Sequence, residues 1–286
     1  MVAGAKLVLV LALASSAACA ATSKEQVMRK AMLANMMQRQ DWPAAFAITQ
    51  DLLAEAPEDA EVLTARGIIY REQGLSEQAE ADLDQAIDLD DDLAAAHSAL
   101  AILLDSQHRF EEAELAHRQA QELEPDNQDY ANNLGFCLYL HGKPREAVAV
   151  LKEALRINPT STRVRNNLGF AYARLGDLPR ASEQFSQGGP PAVAMNNLGF
   201  AYEKQGNLAQ AYDLYLEAVR LNPDLNRARE NLLHVANQIG RDVPEEIRDK
   251  ATGETGELPG PEKVAGELSH EPTGEARDQA EEGQPR

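Results

Sequence analysis

Apolar and small residues recur along this chain at the spacing of α-helices. From Gln26 to Pro223 the apolar residues fall three and four positions apart, which places them on one face of a helix. The pattern returns every 34 residues, with one shorter step of 30, and each repeat holds two helical segments. Glycine marks the turn between the two segments in four repeats: Gly74, Gly142, Gly176 and Gly206. The pattern therefore predicts about six consecutive helical hairpins. At the shorter step, the segment from Gln187 to Pro191 replaces the end of a second helix, so we expect a shortened helix there.

Two positions of the repeat are small, which predicts helices that cross closely. One position in the second helix is alanine in every repeat: Ala45, Ala79, Ala113, Ala147, Ala181 and Ala211. One position in the first helix is glycine or alanine in five repeats: Gly67, Ala101, Gly135, Gly169 and Gly199. A two-helix repeat of this length cannot bury its apolar face alone, so neighbouring repeats must stack on it. We therefore expect an all-α chain built as an α-solenoid.

The segment Asn-Asn-Leu-Gly-Phe occurs in the first helix of three repeats, beginning at Asn132, Asn166 and Asn196. Proline ends the second helix in four repeats: Pro57, Pro125, Pro159 and Pro223. Together with the small positions, these residues resemble the tetratricopeptide repeat (TPR) family over roughly two hundred residues. The resemblance implies a right-handed α-solenoid of about six TPR hairpins. An apolar stripe from Leu225 to Ile239 predicts a C-terminal capping helix, so the array should cover residues 24–239.

In this family, certain first-helix positions tend to line or border a concave groove, so the resemblance implies a peptide-binding surface. The residues predicted to lie there are Asn132, Phe136, Arg163, Asn166, Phe170, Asn196 and Phe200. A carboxamide offers both a donor and an acceptor to the main chain of an extended peptide. A phenyl ring offers apolar contact to a side chain. Arg174 and Lys204 should reach the same surface, where with Arg163 they could bind a carboxylate.

Each kind of groove residue also has a structural alternative. The asparagines could form hydrogen bonds between helices, and the phenylalanines could pack in the core. The second asparagine of each pair could bond to the neighbouring repeat: Asn133, Asn167 and Asn197.

Residues 1–20 predict an export signal. Lys6 precedes an apolar run from Leu7 to Ala14, and small residues follow. The run is too short to cross a membrane in the mature protein. We expect Cys19 to be the lipidated first residue of a bacterial lipoprotein on the periplasmic face of the outer membrane. The alternative is cleavage around Cys19 at small residues, which would leave a soluble periplasmic protein that begins at Ala21.

The chain has a formal net charge of −19. This charge argues against nucleic acid or anionic lipid as a ligand, because both require clustered Lys and Arg. Contact with a membrane is therefore expected only through a lipid anchor. Residues 240–286 hold 13 acids against 6 bases and few large apolar side chains, which predicts a disordered acidic tail. The tail could serve as a tether, could attract a basic partner, or could have no specific role.

We expect no catalytic site. The sequence shows no glycine-rich phosphate loop and no nucleophile elbow. His97, His108 and His117 lie in one repeat, but no fourth ligand follows at a zinc spacing. The run from Asp88 to Asp92 lacks the glycine and the distal glutamate of a calcium loop. We therefore expect neither a metal nor a cofactor.

The chain also resembles a narrower family, the tight-adherence (Flp) pilus assembly lipoproteins. The resemblance rests on Asn132 to Leu155, on Arg163 to Leu168, and on the Gly-Gly-Pro break before the third Asn-Asn-Leu-Gly. It implies a scaffold that captures a partner segment and supports assembly of the pilus or its secretin, without making or breaking a covalent bond. A type IV pilus pilotin and a generic periplasmic adaptor for envelope enzymes are the alternatives.

Overall fold

The computed structural model describes residues 24–248, which form α-helices in sequential antiparallel pairs. The first six are α1 (24–38), α2 (Trp42–Glu55), α3 (Ala60–Glu72), α4 (Ser76–Leu89), α5 (Ala94–Ser106) and α6 (Phe110–Leu123). The rest are α7 (Gln128–Leu140), α8 (Pro144–Ile157), α9 (Thr162–Arg174), α10 (Leu178–Gln187), α11 (Pro191–Lys204), α12 (Leu208–Leu221), α13 (Asn226–Ile239) and α14 (Glu245–Arg248). The prediction of an all-α TPR array is confirmed. None of the helices in this range has the length and apolar character needed to cross a bilayer.

The chain divides into two compact units, and the division falls after Tyr130. Unit 1 contains α1 to α6. Unit 2 begins at Ala131, within α7, and its described part ends at Arg248.

The core of unit 1 is built from aliphatic side chains of neighbouring helices. Leu52 of α2 and Leu63 of α3 are buried in one cluster, and Leu83 of α4 is buried in another. Gly67 allows α3 to lie close to α4, because a Cβ there would come within 2.7 Å of Leu83 Cγ. The small position predicted from the repeat therefore faces a large side chain of the paired helix.

Unit 2 uses the same small-to-large arrangement three times. The pairs are Gly135 with Leu151, Gly169 with Phe185, and Gly199 with Tyr215. A Cβ on any of these glycines would lie between 2.5 and 2.8 Å from the partner side chain. Real Cβ atoms do not approach other atoms so closely, so a larger residue at these positions would force the partner side chain to shift.

The shorter step in the repeat pattern corresponds to a short helix. α10 has 10 residues, whereas α8 and α12 have 14 each. Gly188 and Gly189 follow α10, and Gly189 has a φ of 150°, which side chains of L-residues rarely adopt. The shortened helix predicted at this place is confirmed.

At the C-terminal end, α13 packs as the predicted capping helix through Leu232 and Val235, and it ends at Gly240 with a left-handed φ of 63°. The packed chain continues beyond Gly240, where the disordered tail was predicted to begin. Val243 and Ile247 are buried against α12 and α13, so the ordered part extends to Arg248. The predicted export signal with Cys19 and the rest of the acidic tail, residues 249–286, lie outside the described residues.

Candidate functional site

The three asparagines predicted to face a peptide are buried in unit 2. Asn132, Asn166 and Asn196 expose 0%, 8% and 5% of their surface. This finding corrects the groove prediction for the carboxamides. A buried amide must form its hydrogen bonds within the protein, and these side chains bond to other helices of the repeat array.

Six asparagines, five of them buried and the sixth half-buried, form what we call the asparagine ladder, made of three acceptors and three donors. Asn167 Nδ2 donates to Asn132 Oδ1 at 2.9 Å, Asn197 Nδ2 donates to Asn166 Oδ1 at 3.3 Å, and Asn231 Nδ2 donates to Asn196 Oδ1 at 3.0 Å. Each bond joins one first helix to the next, and the last joins α11 to α13. The ladder therefore fixes how consecutive repeats of unit 2 stack.

Asn166 makes a second hydrogen bond besides its bond in the ladder. Its side chain donates to the Gly188 carbonyl oxygen at 2.9 Å, so it stabilises the break in the repeat after α10. Sequence reasoning missed Asn231, which lies in the capping helix. The signal was present, because Asn231 and Leu232 follow Asn197 and Leu198 by one full period of 34 residues.

An aromatic pocket lies on the surface of unit 2 and has a volume of about 640 Å³. It is formed by the C-terminal halves of α7, α9 and α11 and by the turns after α9 and α11. Its lining residues are Tyr139, Phe170, Ala173, Arg174, Leu175, Gly176, Phe200, Ala201, Lys204 and Gln205. The volume suits one or two large side chains of a bound molecule.

The aromatic rings of the pocket contact one another across the three helices. The Phe170 and Phe200 centroids are 5.9 Å apart with nearly perpendicular rings, and the Tyr139 and Phe170 centroids are 6.4 Å apart. Phe170 also packs edge-on against Phe185 of the core, with centroids 4.9 Å apart. Edge-to-face contacts fix ring orientation, so this wall of the pocket is preformed.

Two cationic side chains lie beside these rings. The Arg174 guanidinium carbon is 5.2 Å from the Tyr139 ring centroid, and Arg174 Nη1 donates to the Tyr139 carbonyl oxygen at 2.9 Å. Lys204 Nζ is 5.0 Å from the Phe200 centroid. Burial raises the pKa of the Tyr139 phenol, and the charge of Arg174 opposes that rise. Tyr139 is therefore neutral at physiological pH, and the pocket carries two positive charges.

The structure separates the predicted phenylalanines and cations into two groups. Phe170, Phe200, Arg174 and Lys204 meet in the pocket. Phe136 lies outside the lining and stacks against Tyr139, with centroids 6.2 Å apart. Arg163 is half-buried near the start of α9, also outside the lining.

The lining of the pocket combines apolar and polar groups. Its lining offers aromatic faces, two cations and the Gln205 carboxamide, which donates to the Ala173 carbonyl oxygen at 3.0 Å. Among the described residues that line it there is no carboxylate, histidine or thiol to act as an acid, base or nucleophile. The arrangement can hold an apolar group and an anionic group side by side.

Comparison with known proteins agrees with this architecture. Tetratricopeptide repeat models match residues 60–93, 98–162, 138–194 and 192–225. A search of curated proteins finds no match to the sequence.

Among solved structures, YrrB, a TPR protein with an unusual peptide-binding site, is 25% identical with a TM-score of 0.51, over 66% of this chain and 97% of YrrB. PilW, a widely conserved type IV pilus biogenesis factor, is 20% identical with a TM-score of 0.63, over 72% of this chain and 98% of PilW. PilF of Pseudomonas aeruginosa is 18% identical with a TM-score of 0.59, over 72% of this chain and 95% of PilF. PilW and PilF share the fold with this chain at these identities. The matched repeat models and the helical pairs together show that the chain belongs to the tetratricopeptide repeat family.

Proposed function

We propose that this chain is a non-catalytic scaffold that binds a segment of a partner protein in the aromatic pocket of unit 2. The observation that carries the proposal is one preformed pocket lined by the half-buried rings of Tyr139 and Phe200 and by the buried ring of Phe170. Aromatic side chains are enriched at protein interfaces, because they bury a large area at a small cost in side-chain entropy. The similarity to YrrB, a TPR protein with a peptide-binding site, supports this proposal.

Partner capture with the full-length protein tests the proposal. Phe200→Ala should remove ring surface from the pocket, and we expect recovery of crosslinked partners from envelope fractions to fall about tenfold or more, the loss typical of an interface anchor. Leu221→Ala is a matched control, because Leu221 is 49% exposed on α12 and lies outside the pocket. Circular dichroism should show that both variants are folded. Equal recovery of partner proteins by wild type and Phe200→Ala would show that the pocket does not bind the partner.

We further propose that the partner is a component of a Flp or type IV pilus, or its secretin, in the bacterial envelope. Support comes from the resemblance of Asn132 to Leu155 to the Flp pilus lipoproteins and from the export signal predicted in residues 1–20. PilW and PilF contribute the shared fold. The partners recovered above should then include a pilus or secretin subunit, and a set made only of cell-wall enzymes would favour a generic periplasmic adaptor.

The proposed location is the periplasmic face of the outer membrane, through a lipid on Cys19. Cys19→Ser should move the protein from the membrane fraction to the soluble periplasm, because no helix among residues 24–248 could hold it in a bilayer. Mass spectrometry of the mature N-terminus distinguishes the two processing routes. An unmodified chain that begins at Ala21 would contradict the lipid anchor and leave partner binding unaffected.

A further inference from the structure

We propose that the aromatic pocket selects partner segments in which an acidic side chain lies next to an aromatic or bulky aliphatic side chain. The proposal rests on the proposed function, since it names the chemistry of the segment that the pocket binds. The selectivity comes from the two cations of the pocket, Arg174 and Lys204, and from the rings that they contact.

Neither of the two cations forms an ion pair with a carboxylate of residues 24–248. Several other arginines of the array do, as in the contact of Arg66 with Asp82 at 2.6 Å and of Arg109 with Glu80 at 2.7 Å. Arg174 and Lys204 are exposed, and their recorded partners are a carbonyl oxygen and two aromatic rings. The positive charge of the pocket is therefore not neutralised within the described chain.

The aromatic rings hold the cations where a bound carboxylate can reach them. Each cation lies over one ring at 5.0 to 5.2 Å from its centroid, which is within the range of cation–π attraction. A side chain held in this way loses less conformational freedom when a ligand binds. The Arg174 hydrogen bond uses Nη1, and the rest of its guanidinium fork has the planar geometry that suits a carboxylate.

The net charge of the chain limits which anions can bind. A long polyanion would meet repulsion from a surface with a formal charge of −19, whereas a single carboxylate experiences mainly the local field of the pocket. The apolar lining from Phe170, Ala173 and Phe200 requires an apolar neighbour beside that carboxylate. The source of the carboxylate is an internal acidic side chain of a partner protein.

Three synthetic peptides test the proposal with the full-length protein. Each is ten residues long, labelled with fluorescein, amidated at its C-terminus and made of glycine and serine around a central Asp-Phe, Asn-Phe or Asp-Gly pair. Fluorescence anisotropy at low salt should show that Asp-Phe binds about tenfold or more tightly than either of the others, as expected for loss of a charge-assisted contact or of the ring contact. Equal affinity for Asp-Phe and Asn-Phe would overturn charge selection.

Variants of Lys204 test whether this lysine causes the preference for an acidic side chain. Lys204→Gln should weaken Asp-Phe binding severalfold and remove most of the preference over Asn-Phe, while Lys204→Glu should favour a matched Lys-Phe peptide. Lys152→Gln is the control, because Lys152 is an exposed lysine of α8 in the same unit and outside the pocket. An unchanged peptide preference in Lys204→Glu would overturn the proposal.

Two further arms identify the source of the carboxylate. A free C-terminal carboxylate after phenylalanine should bind less well than the amidated Asp-Phe peptide, and the reverse order would overturn an internal acid. The chain itself contains Glu-Leu pairs at Glu257 and Glu267. Glu257→Gln with Glu267→Gln should leave Asp-Phe affinity unchanged, and a severalfold gain would mean that the chain's own C-terminal segment is the occupant.

The peptide experiments and the partner capture have separable outcomes. If no peptide binds at millimolar concentration, the proposed segment chemistry is wrong. Loss of partner recovery in Phe200→Ala would still support the pocket as the binding surface, with a different segment in it.

Discussion

Units 1 and 2 use different polar contacts at equivalent places of the same repeat. In unit 2 the fifth position of the repeat is an asparagine, as in Asn166, which bonds to another repeat through the ladder. In unit 1 the equivalent residues are Thr64 and Ser98. Thr64 Oγ1 donates to the Ala60 carbonyl oxygen of its own helix at 2.8 Å, so it joins no second repeat.

Unit 1 instead has charged contacts between its helices. Arg66 donates to both carboxylate oxygens of Asp82 at 2.6 and 2.8 Å, and Arg109 donates to Glu80 at 2.7 Å. The Arg66–Asp82 pair is largely buried within one repeat, whereas the partly exposed Arg109–Glu80 pair joins two repeats. A partly exposed ion pair weakens with salt and with protonation of the carboxylate, and hydrogen bonds between buried neutral amides do not. One repeat pattern can therefore stack through neutral or through ionic contacts, and only the neutral type should be insensitive to salt and pH.

The largest predicted effect comes from breaking the ladder. Asn166→Ala removes the acceptor of Asn197 Nδ2 and the donor to the Gly188 carbonyl, and it leaves both groups buried without these partners. We expect the free energy of unfolding to fall by about 3 kcal/mol, because each buried unsatisfied group costs roughly 1–3 kcal/mol. Urea denaturation measures the loss, and hydrogen exchange should locate it in α9 to α11.

Thr64→Ala is the matched change in unit 1. It removes a hydroxyl whose only recorded hydrogen bond is within α3, so we expect a loss below about 1 kcal/mol. Equal destabilisation by the two variants would show that the ladder contributes no more than a local side-chain bond, and the contrast between the units would disappear.

The second prediction compares glycines at the helix crossings. In Gly169→Ala the new Cβ would lie 2.5 Å from Cε1 of Phe185, and in Gly67→Ala it would lie 2.7 Å from Cγ of Leu83. The Phe185 ring is fully buried against Phe170, so it has little room to move. We expect a loss of about 2 kcal/mol for Gly169→Ala, within the range for overpacking, and a smaller loss for Gly67→Ala.

Thermal unfolding of the two glycine variants measures this difference. A Gly67→Ala variant that is less stable than Gly169→Ala would contradict the argument from ring rigidity. It would indicate that the approach of α3 to α4 is the tighter of the two crossings.

The sequence predicted the helical hairpins, the small positions and the short α10, because all three follow from spacing and residue size. It did not predict which carboxamides are buried, because a helical position next to a groove can turn toward a neighbouring helix with a small rotation. Phe170, Phe200, Arg174 and Lys204 line one pocket in the structure, and Tyr139, which the sequence did not single out, lines it as well. Tyr139 does not belong to the repeated five-residue segment, and only the fold brings it to the pocket.

The third prediction concerns alkaline pH and unit 2. Tyr215 is fully buried and donates to Glu203 Oε2 at 2.7 Å, and burial, followed by the contact with Glu203, raises the pKa of its phenol. The phenol of an unfolded tyrosine has a pKa of about 10, so above that pH the native state binds more protons and stability falls as pH rises. Tyr215→Phe should cost about 1 kcal/mol at pH 7 and lose less stability than wild type above pH 10.

Urea denaturation of wild type and Tyr215→Phe at pH 7 and pH 11 measures the effect. Tyr130 of unit 1 also has a raised phenol pKa because of burial, but it is half-buried. Tyr130→Phe should therefore change the loss of stability between pH 7 and pH 11 less than Tyr215→Phe does. An equal loss of stability over this pH range in wild type and Tyr215→Phe would contradict a raised native pKa at Tyr215.

The smallest predicted effect is at an exposed ion pair of unit 1. Arg109 donates to the two oxygens of Glu112 at 2.8 and 2.7 Å, and these hydrogen bonds lower the pKa of the Glu112 carboxyl below its usual value near 4.5. A lowered native pKa gives stability that is present above the unfolded pKa and is lost as pH falls through the native pKa. NMR titration should show the Glu112 pKa rising toward its usual value in Arg109→Gln and in high salt. Over the same change in salt, the rate of hydrogen exchange in the α9 segment around Asn166 should stay constant, because its ladder contacts are neutral and buried. If salt changed this rate as much as it changes hydrogen exchange in unit 1, the distinction between neutral and ionic stacking would be contradicted.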